Sequence, residues 1–248
     1  MWKKISFLCV AVLSIASLHG QTVDDILANY YENAGSYEKW KALTSQKMIG
    51  TMSMGPMEFK GTVYSKPPNK QRVVVDVQGT ELIQAYDGKT AWILFPLQTG
   101  PDPQIMPADQ AEQFTSQEFE MPFMDYKEKG NTLELEGKEE VEGAEAFKIK
   151  LTKKDGKVQY YYFDAEHYVP IMMKEAIASG PAKGQDAETF LSDYQEVDGL
   201  MIPFFIEVKV GGQTAQKISI ESMVFNEEMK DDLFTMPKKS KEAPASGN

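Results

Sequence analysis

The sequence predicts a mainly β chain with a few helices, and three observations carry that reading. Apolar and polar residues alternate with period two through most of the chain after Gln46, the repeat of a half-buried strand. Turn signals punctuate the alternation: Gly55-Pro56, Pro67-Pro68-Asn69, Gly211-Gly212, and Asp-Gly pairs beginning at 87, 155 and 198. A 3.6-residue period shows only near the start. The 248 residues suit one large β domain or two small ones. No linker divides them, and the unequal spacing of the Asp-Gly turns excludes a solenoid or propeller repeat. One domain over residues 21–236 is therefore expected.

Residues 1–20, "MWKKISFLCVAVLSIASLHG", read as a secretory signal peptide: Lys3 and Lys4, an apolar run from Ile5 to Leu18, then small residues. The run falls short of the ~20 residues a spanning helix needs. Cleavage after Gly20 leaves Gln21 at the new terminus; a cut after Ala16 is the alternative. The only cysteine, Cys9, lies in this segment, so the exported chain has no disulfide and depends on its own core.

Thr22 and Asp25 form an acidic variant of a capping box, followed by Val23, Ile26, Leu27 and Tyr30 on one stripe. Gly35 breaks this helix, and Ser36 starts a short second one carrying Tyr37, Trp40 and Leu43. Strands follow. Met48, Gly50, Met52 and Met54 alternate with Ile49, Thr51 and Ser53; Met57, Phe59, Gly61 and Val63 alternate with Glu58, Lys60, Thr62 and Tyr64. Further strands are expected at Arg72–Val77, Glu81–Tyr86 and Lys89–Pro96. After residue 130 come "NTLELEGKEEVEG", Phe147–Leu151, Val158–Tyr162, Ile171–Ile177, Glu188–Val197, Ile202–Val210 and Ile218–Val224, for about eleven or twelve strands in all. Residues 237–248 are polar and read as a disordered tail.

Two segments break the pattern. In "YDGKTAWILFP", Trp92 and Leu94 face one side of a strand while Ala91, Ile93 and Phe95 face the other, so neither side is polar. One face is expected to line an interior and the other to be covered by helices. Residues 97–130 hold Pro101, Pro103, Pro107 and Pro122 without strand alternation, with Pro107 opening a short helix to about Thr115. Met106, Phe114, Phe119, Met121, Phe123 and Met124 make this segment too apolar for a plain loop. It is either a lid or a plug in one end of the barrel.

The 26 basic and 37 acidic residues leave a net charge of −11, or −13 without Lys3 and Lys4. Such a chain is repelled by phosphate backbones, which argues against a nucleic-acid partner. Catalytic patterns are scarce. Outside the leader the one histidine is His167, in a turn; no nucleophile elbow, phosphate loop or HExxH occurs, and a His/Cys zinc site is excluded by count. The carboxylates of "EGKEEVEGAEAF" are not spaced like an EF-hand loop. What is abundant is soft apolar surface, with Met48, Met52, Met54 and Met57 on two adjacent strands. Eleven or more curled strands enclose more space than a closed eight-stranded barrel, whose own side chains nearly fill it.

Four segments resemble the LolA/LolB-like family of periplasmic lipoprotein carriers: "YSKPPNKQRV", "YDGKTAWILFP" (its Asp87, Gly88, Lys89, Thr90, Trp92 and Pro96), "YYYFDAEHYVPIMMKE", and "DYQEVDGLMIPFFIEV" with "DDLFTMP". The resemblance implies a half-open antiparallel β-barrel of about eleven strands with a helical lid, an apolar cavity for acyl chains, and no catalysis. In that family an arginine before the turn proline latches the lid; here the slot is Pro67, with Lys66 the nearest cation.

The expected function is a non-catalytic periplasmic, or secreted, carrier of lipoprotein acyl chains or another lipid. It would need no cofactor and no metal, would act as a monomer, and would meet membrane-bound donor and acceptor proteins. The expected cavity residues are Met48, Met52, Phe59, Val73, Val75, Trp92, Leu94, Phe114, Phe119 and Met121, under a lid from Met106 to Phe123. A one-residue slip in register would invert the assignment of faces. Two other classes stay open: an interaction or scaffold protein that binds a polypeptide on the same sheet, and a hydrolase using carboxylate or His167 chemistry.

Overall fold

The computed structural model describes residues 20–178 and 180–238, with the backbone alone at Asp109 and Gln113. The expected leader lies outside the described residues except for Gly20, and so does the tail beyond Lys238.

Helix α1 (Val23–Asn33) begins on the capping box: the Asp25 N–H donates to Thr22 Oγ1 at 3.2 Å, and the Thr22 N–H donates to Asp25 Oδ2 at 3.0 Å. Its stripe of Ile26, Leu27 and Tyr30 is buried. Helix α2 (Tyr37–Lys41) follows a corner at Gly35, whose φ of 106° suits glycine.

Six antiparallel strands form a first arm: β1 (Gln46–Met54), β2 (Met57–Lys66), β3 (Lys70–Val77), β4 (Thr80–Tyr86), β5 (Ala91–Leu94) and β6 (Gln104–Ile105). Helices α3 (Pro96–Thr99) and α4 (Ala108–Thr115) interrupt and follow its last strands. A second arm comprises β7 (Thr132–Val141), β8 (Ala144–Thr152), β9 (Val158–Asp164), β10 (Pro170–Ala176), β11 (Asp186–Val197), β12 (Leu200–Val210) and β13 (Gln213–Phe225). The last strand, β13, pairs with the first, β1, and joins the arms into one sheet with β6 and β7 at its edges. The sheet is therefore not closed. The twelve expected strands are present, and the thirteenth is the two-residue β6.

The seam between the arms carries a kink. The β1–β13 register shifts between Ile49 and Gly50, and Gly50 lies opposite Gly61 on β2. A bulge and facing glycines let a sheet bend where side chains would resist it. A Cβ built on Gly50 would overlap the carbonyl oxygen of Ser219, whereas one on Gly61 would lie 2.5 Å from Met52 Cε, the end of a flexible chain.

The largest core cluster lies between α1 and the second arm, where Phe123 meets Tyr30, Tyr161 and Phe163 in edge contacts at centroid distances of 5.3–5.5 Å. A second cluster joins Trp40 and Leu43 to Leu200, Ile202, Ile220, Met223 and Phe225.

The two seam glycines should respond differently to a methyl group. Gly50→Ala is expected to destabilise by about 3 kcal/mol, because backbone must move, and Gly61→Ala by under about 1 kcal/mol, because Met52 can re-rotamer. Urea unfolding midpoints at constant slope measure both.

Candidate functional site

Residues directly opposite one another in an antiparallel ladder project to the same side. Met48 pairs with Val63, Val63 with Val73, Val73 with Gln84, and Gln84 with Ile93. Met52 pairs with Phe59, while Val75 lies between Gly61 and Leu82. The same face continues across the seam from Met52 to Ile218, Ile206 and Leu191. Two residues along β11, Thr189 pairs with Met173, which leads to Tyr161 and Ile149, the residues under α1. One apolar face thus runs through both arms.

The segment between α4 and β7 shows that this face is concave, because it touches both arms from within. Gln71, on this face of β3, donates to Gln117 Oε1 at 2.8 Å, and the Phe119 N–H donates to the Pro68 carbonyl at 3.3 Å. Between them, Glu118 pairs at 2.9 Å with Lys153 in the β8–β9 turn. Next to these, the Tyr30 hydroxyl donates to Met121 Sδ at 3.2 Å, and Phe123 and Met124 are buried beneath α1. Lys41 of α2 holds Glu120 and Asp125 at 2.8 and 2.7 Å. Its hydrogen bonds lower both carboxyl pKa values, with the Tyr37 hydroxyl assisting at Asp125. This segment touches both arms, and its Phe123 end is a core anchor. Met106, at its other end, is buried, with its N–H donating to the Ala91 carbonyl at 2.9 Å. Phe114, on α4, is half-buried.

The face assignment needs one correction. Trp92 pairs with Ala85 and Leu94 with Ile83, and both rows lie on the convex side, opposite Met48, Met52, Phe59, Val73 and Val75. The residues of β5 that face inward are Ala91 and Ile93. The convex side is covered by the C-terminal segment 226–238 rather than by the helices expected there. Trp92 is fully buried; its indole N–H donates to the Phe234 carbonyl at 2.8 Å, and Met236 packs beside it. Arg72, the only arginine, lies 5.6 Å over the Trp92 ring and donates to the Leu233 carbonyl at 3.0 Å. Lys66 and Lys70 hold Asp231 at 2.9 and 2.7 Å. Lys66, the nearest cation to the family's latch position, therefore serves this C-terminal clasp. The lid is held instead at Gln71 and Pro68.

A cavity of about 640 Å³ lies under α3, lined by the apolar Met57, Phe59, Val77, Leu82, Phe95 and Leu97 and also by the charged Glu58, Lys60 and Asp76. That volume lies within the range of small-molecule sites. Of these residues only Phe59 is among the expected cavity residues, and Met57 is noted as soft apolar surface. Leu82 is legible from the alternation in β4, but the helical turn Pro96–Thr99 is not: Pro96 is expected to end a strand and Leu97 to open the irregular segment. His167 is exposed and closes the β9–β10 turn, with its N–H donating to Asp164 Oδ1 at 2.6 Å. Among the described residues no cluster of His, Cys, Asp or Glu is arranged to hold a metal ion, and no helix is long and apolar enough to cross a membrane.

The clasp predicts a pH response. Hydrogen bonds from Lys70 and Lys66 pull the Asp231 carboxyl from 3.8 down to about 2. A depressed carboxyl favours the paired state above its unfolded value, and that contribution fades as pH falls toward the folded value. In a Trp2→Phe, Trp40→Phe background, Trp92 emission should shift red as pH falls from about 4 to 2. Asp231→Asn should show part of that shift at neutral pH and a flatter acid profile.

No protein-family model matches the chain, and no curated protein does. Solved structures match its fold at low identity. An outer membrane lipoprotein-sorting protein domain from Vibrio parahaemolyticus, itself named provisionally, is 12% identical over 85% of this chain and 94% of its own, with a TM-score of 0.56. A LolA superfamily protein from Nitrosomonas europaea is 13% identical over 87% and 98%, with a TM-score of 0.56. A DUF1329 family protein from Desulfovibrio piger is 14% identical over 85% and 97%, with a TM-score of 0.55. The chain has a LolA-like fold: one open antiparallel sheet, curled around a lid segment.

Proposed function

We propose that the protein is a non-catalytic carrier, exported to the periplasm or beyond, that holds acyl chains of a lipoprotein or another lipid against its concave face. The observation that carries this reading is the largely apolar face that runs across both arms, interrupted by Gln71, Gln84 and Thr189. Met48, Met52, Val73, Val75, Phe204 and Ile206 on it are only half-buried, so the protein itself leaves them partly uncovered. Leaving so many apolar side chains half-wet costs stability, and a ligand that covers them recovers about 0.8 kcal/mol per buried CH₂. Such a site needs area and dryness rather than a polar constellation. The likeness in fold to a lipoprotein-sorting domain supports the same reading.

Solvent extraction of the purified protein followed by mass spectrometry should yield a lipid, and a fluorescent fatty acid should bind and be displaced by it. Phe59→Asp and Val75→Glu, on the concave face, should each weaken probe binding at least about tenfold. Glu81→Gln, which pairs with Asp76 on the convex side, should leave it unchanged. Absence of both lipid and probe binding overturns the proposal. In that case a polypeptide ligand on the same sheet becomes the reading to test.

A further inference from the structure

We infer that the β1–β2 hairpin tip and the α3 corner form a docking surface for an uncharged or zwitterionic lipid bilayer, through which the cavity is loaded and emptied. This rests on the carrier reading above and adds the route by which the ligand enters.

Three of the large apolar side chains most open to solvent lie around this one place. Met54 is 51% exposed, Met57 56% and Leu97 66%. Met54 and Met57 are paired across the Gly55-Pro56 turn, and Met57 and Leu97 both line the cavity of about 640 Å³. Single exposed apolar residues are ordinary, and Ile105 and Val224 are two such cases elsewhere on the surface. A group that rims a cavity has a different meaning: although Glu58, Lys60 and Asp76 also line this one, its Met57, Phe59, Leu82 and Leu97 wall is continuous with whatever apolar phase the rim enters. The turn itself is open to solvent: a Cβ built on Gly55, or on Gly79 in the neighbouring β3–β4 turn, meets nothing within 4 Å. Protruding, flexible thioether side chains suit insertion among mobile acyl chains better than they suit a flat protein interface.

Charge selects the kind of bilayer. Beside the tip, Glu58, Asp76 and Glu81 outnumber Lys60 and Lys217, the latter opposite Ser53 and 3.7 Å from Glu207, and the whole chain carries −11. An anionic surface would repel this end of the molecule, and no basic patch is present at the tip to offset that. The apolar rim is the attractive element, so binding should be strongest to phosphatidylcholine vesicles and should fall as anionic lipid is added.

The test is transfer of a fluorescent fatty acid from the loaded protein to phosphatidylcholine vesicles containing a quencher. If the tip docks, the transfer rate rises with vesicle concentration. The double variant Met54→Asp, Pro56→Asp, at two exposed positions outside the cavity lining, should slow transfer about tenfold and leave equilibrium affinity for the probe within about twofold. Replacing about a third of the phosphatidylcholine with phosphatidylglycerol should slow wild-type transfer in low salt, with recovery on adding salt. A rate independent of vesicle concentration, or unchanged in the double variant, overturns the proposal. If the wild type binds no probe, the carrier reading fails by itself. Co-sedimentation of the unloaded protein with phosphatidylcholine vesicles then decides the docking separately: binding lost in the double variant supports it, and no binding by wild type overturns it.

Discussion

The structure depends on one constraint: a thirteen-stranded sheet with an apolar inner face must cover that face or curl around something that does. Flat, it would expose far more apolar surface than a folded chain can tolerate. The seam answers part of this. Where β1 meets β13 and β2, a register shift and the Gly50–Gly61 pair remove the side chains that would hold the strands flat. The arms then turn toward each other, and a segment of the same chain touches both. Coverage remains uneven. Helix α1 and the Phe123 end of the lid pack tightly on β7–β10, whereas the first arm has only α3 and the thinner half of the lid above it. The half-wet surface lies mostly on that less covered arm and continues across the seam to Phe204 and Ile206.

The first arm has a second problem, because both faces of β5 are apolar. Its convex face is closed by the C-terminal segment through contacts of different kinds. Trp92 supplies buried area and an indole N–H that needs an acceptor, which the Phe234 carbonyl provides. Arg72 lies over the ring while donating to a second carbonyl of the same segment. Asp231 is fully exposed, so its two lysine contacts add orientation more than stability. Burial of Trp92 and Phe234 is the larger effect, and the ion pairs set where the segment crosses β2 and β3.

Much of the fold was legible in the sequence, because period two and turn residues are local signals. The capping box at Thr22 and Asp25, the twelve longer strands and the helix after Pro107 are all read from neighbours within a few residues. The site was legible only in part. Met48, Met52, Phe59, Val73 and Val75 share a face because the glycines and turns between them fix one register. Trp92 and Leu94 were assigned to that face because nothing within "AWILF" says which side is wet. The deciding partner, Phe234, lies 142 residues away. The α3 turn was missed for a similar reason: a four-residue helix leaves no period to read. Leu97 and Phe95 acquire their role only when α3 folds over Leu82.

The lid segment shows how the same chain can be both fixed and openable. Its Phe123 end is held by ring contacts among Tyr30, Tyr161 and Phe163 that release only if the core does. Its middle is held to the sheet by the Gln71–Gln117 bond, the Phe119–Pro68 bond and the Glu118–Lys153 pair, while its first residue, Met106, is buried. Solvent-accessible contacts of that kind are each worth about 1 kcal/mol or less, since water replaces them readily. The Gln71 bond is weaker still in net terms, because Gln71 Oε1 is buried with no partner among the described residues. The difference in energy between these contacts makes residues 117–119 the more weakly held part of the segment. On the carrier reading proposed above, ligand entry would use that part, while the packing around Phe123 keeps the rest of the sheet curled.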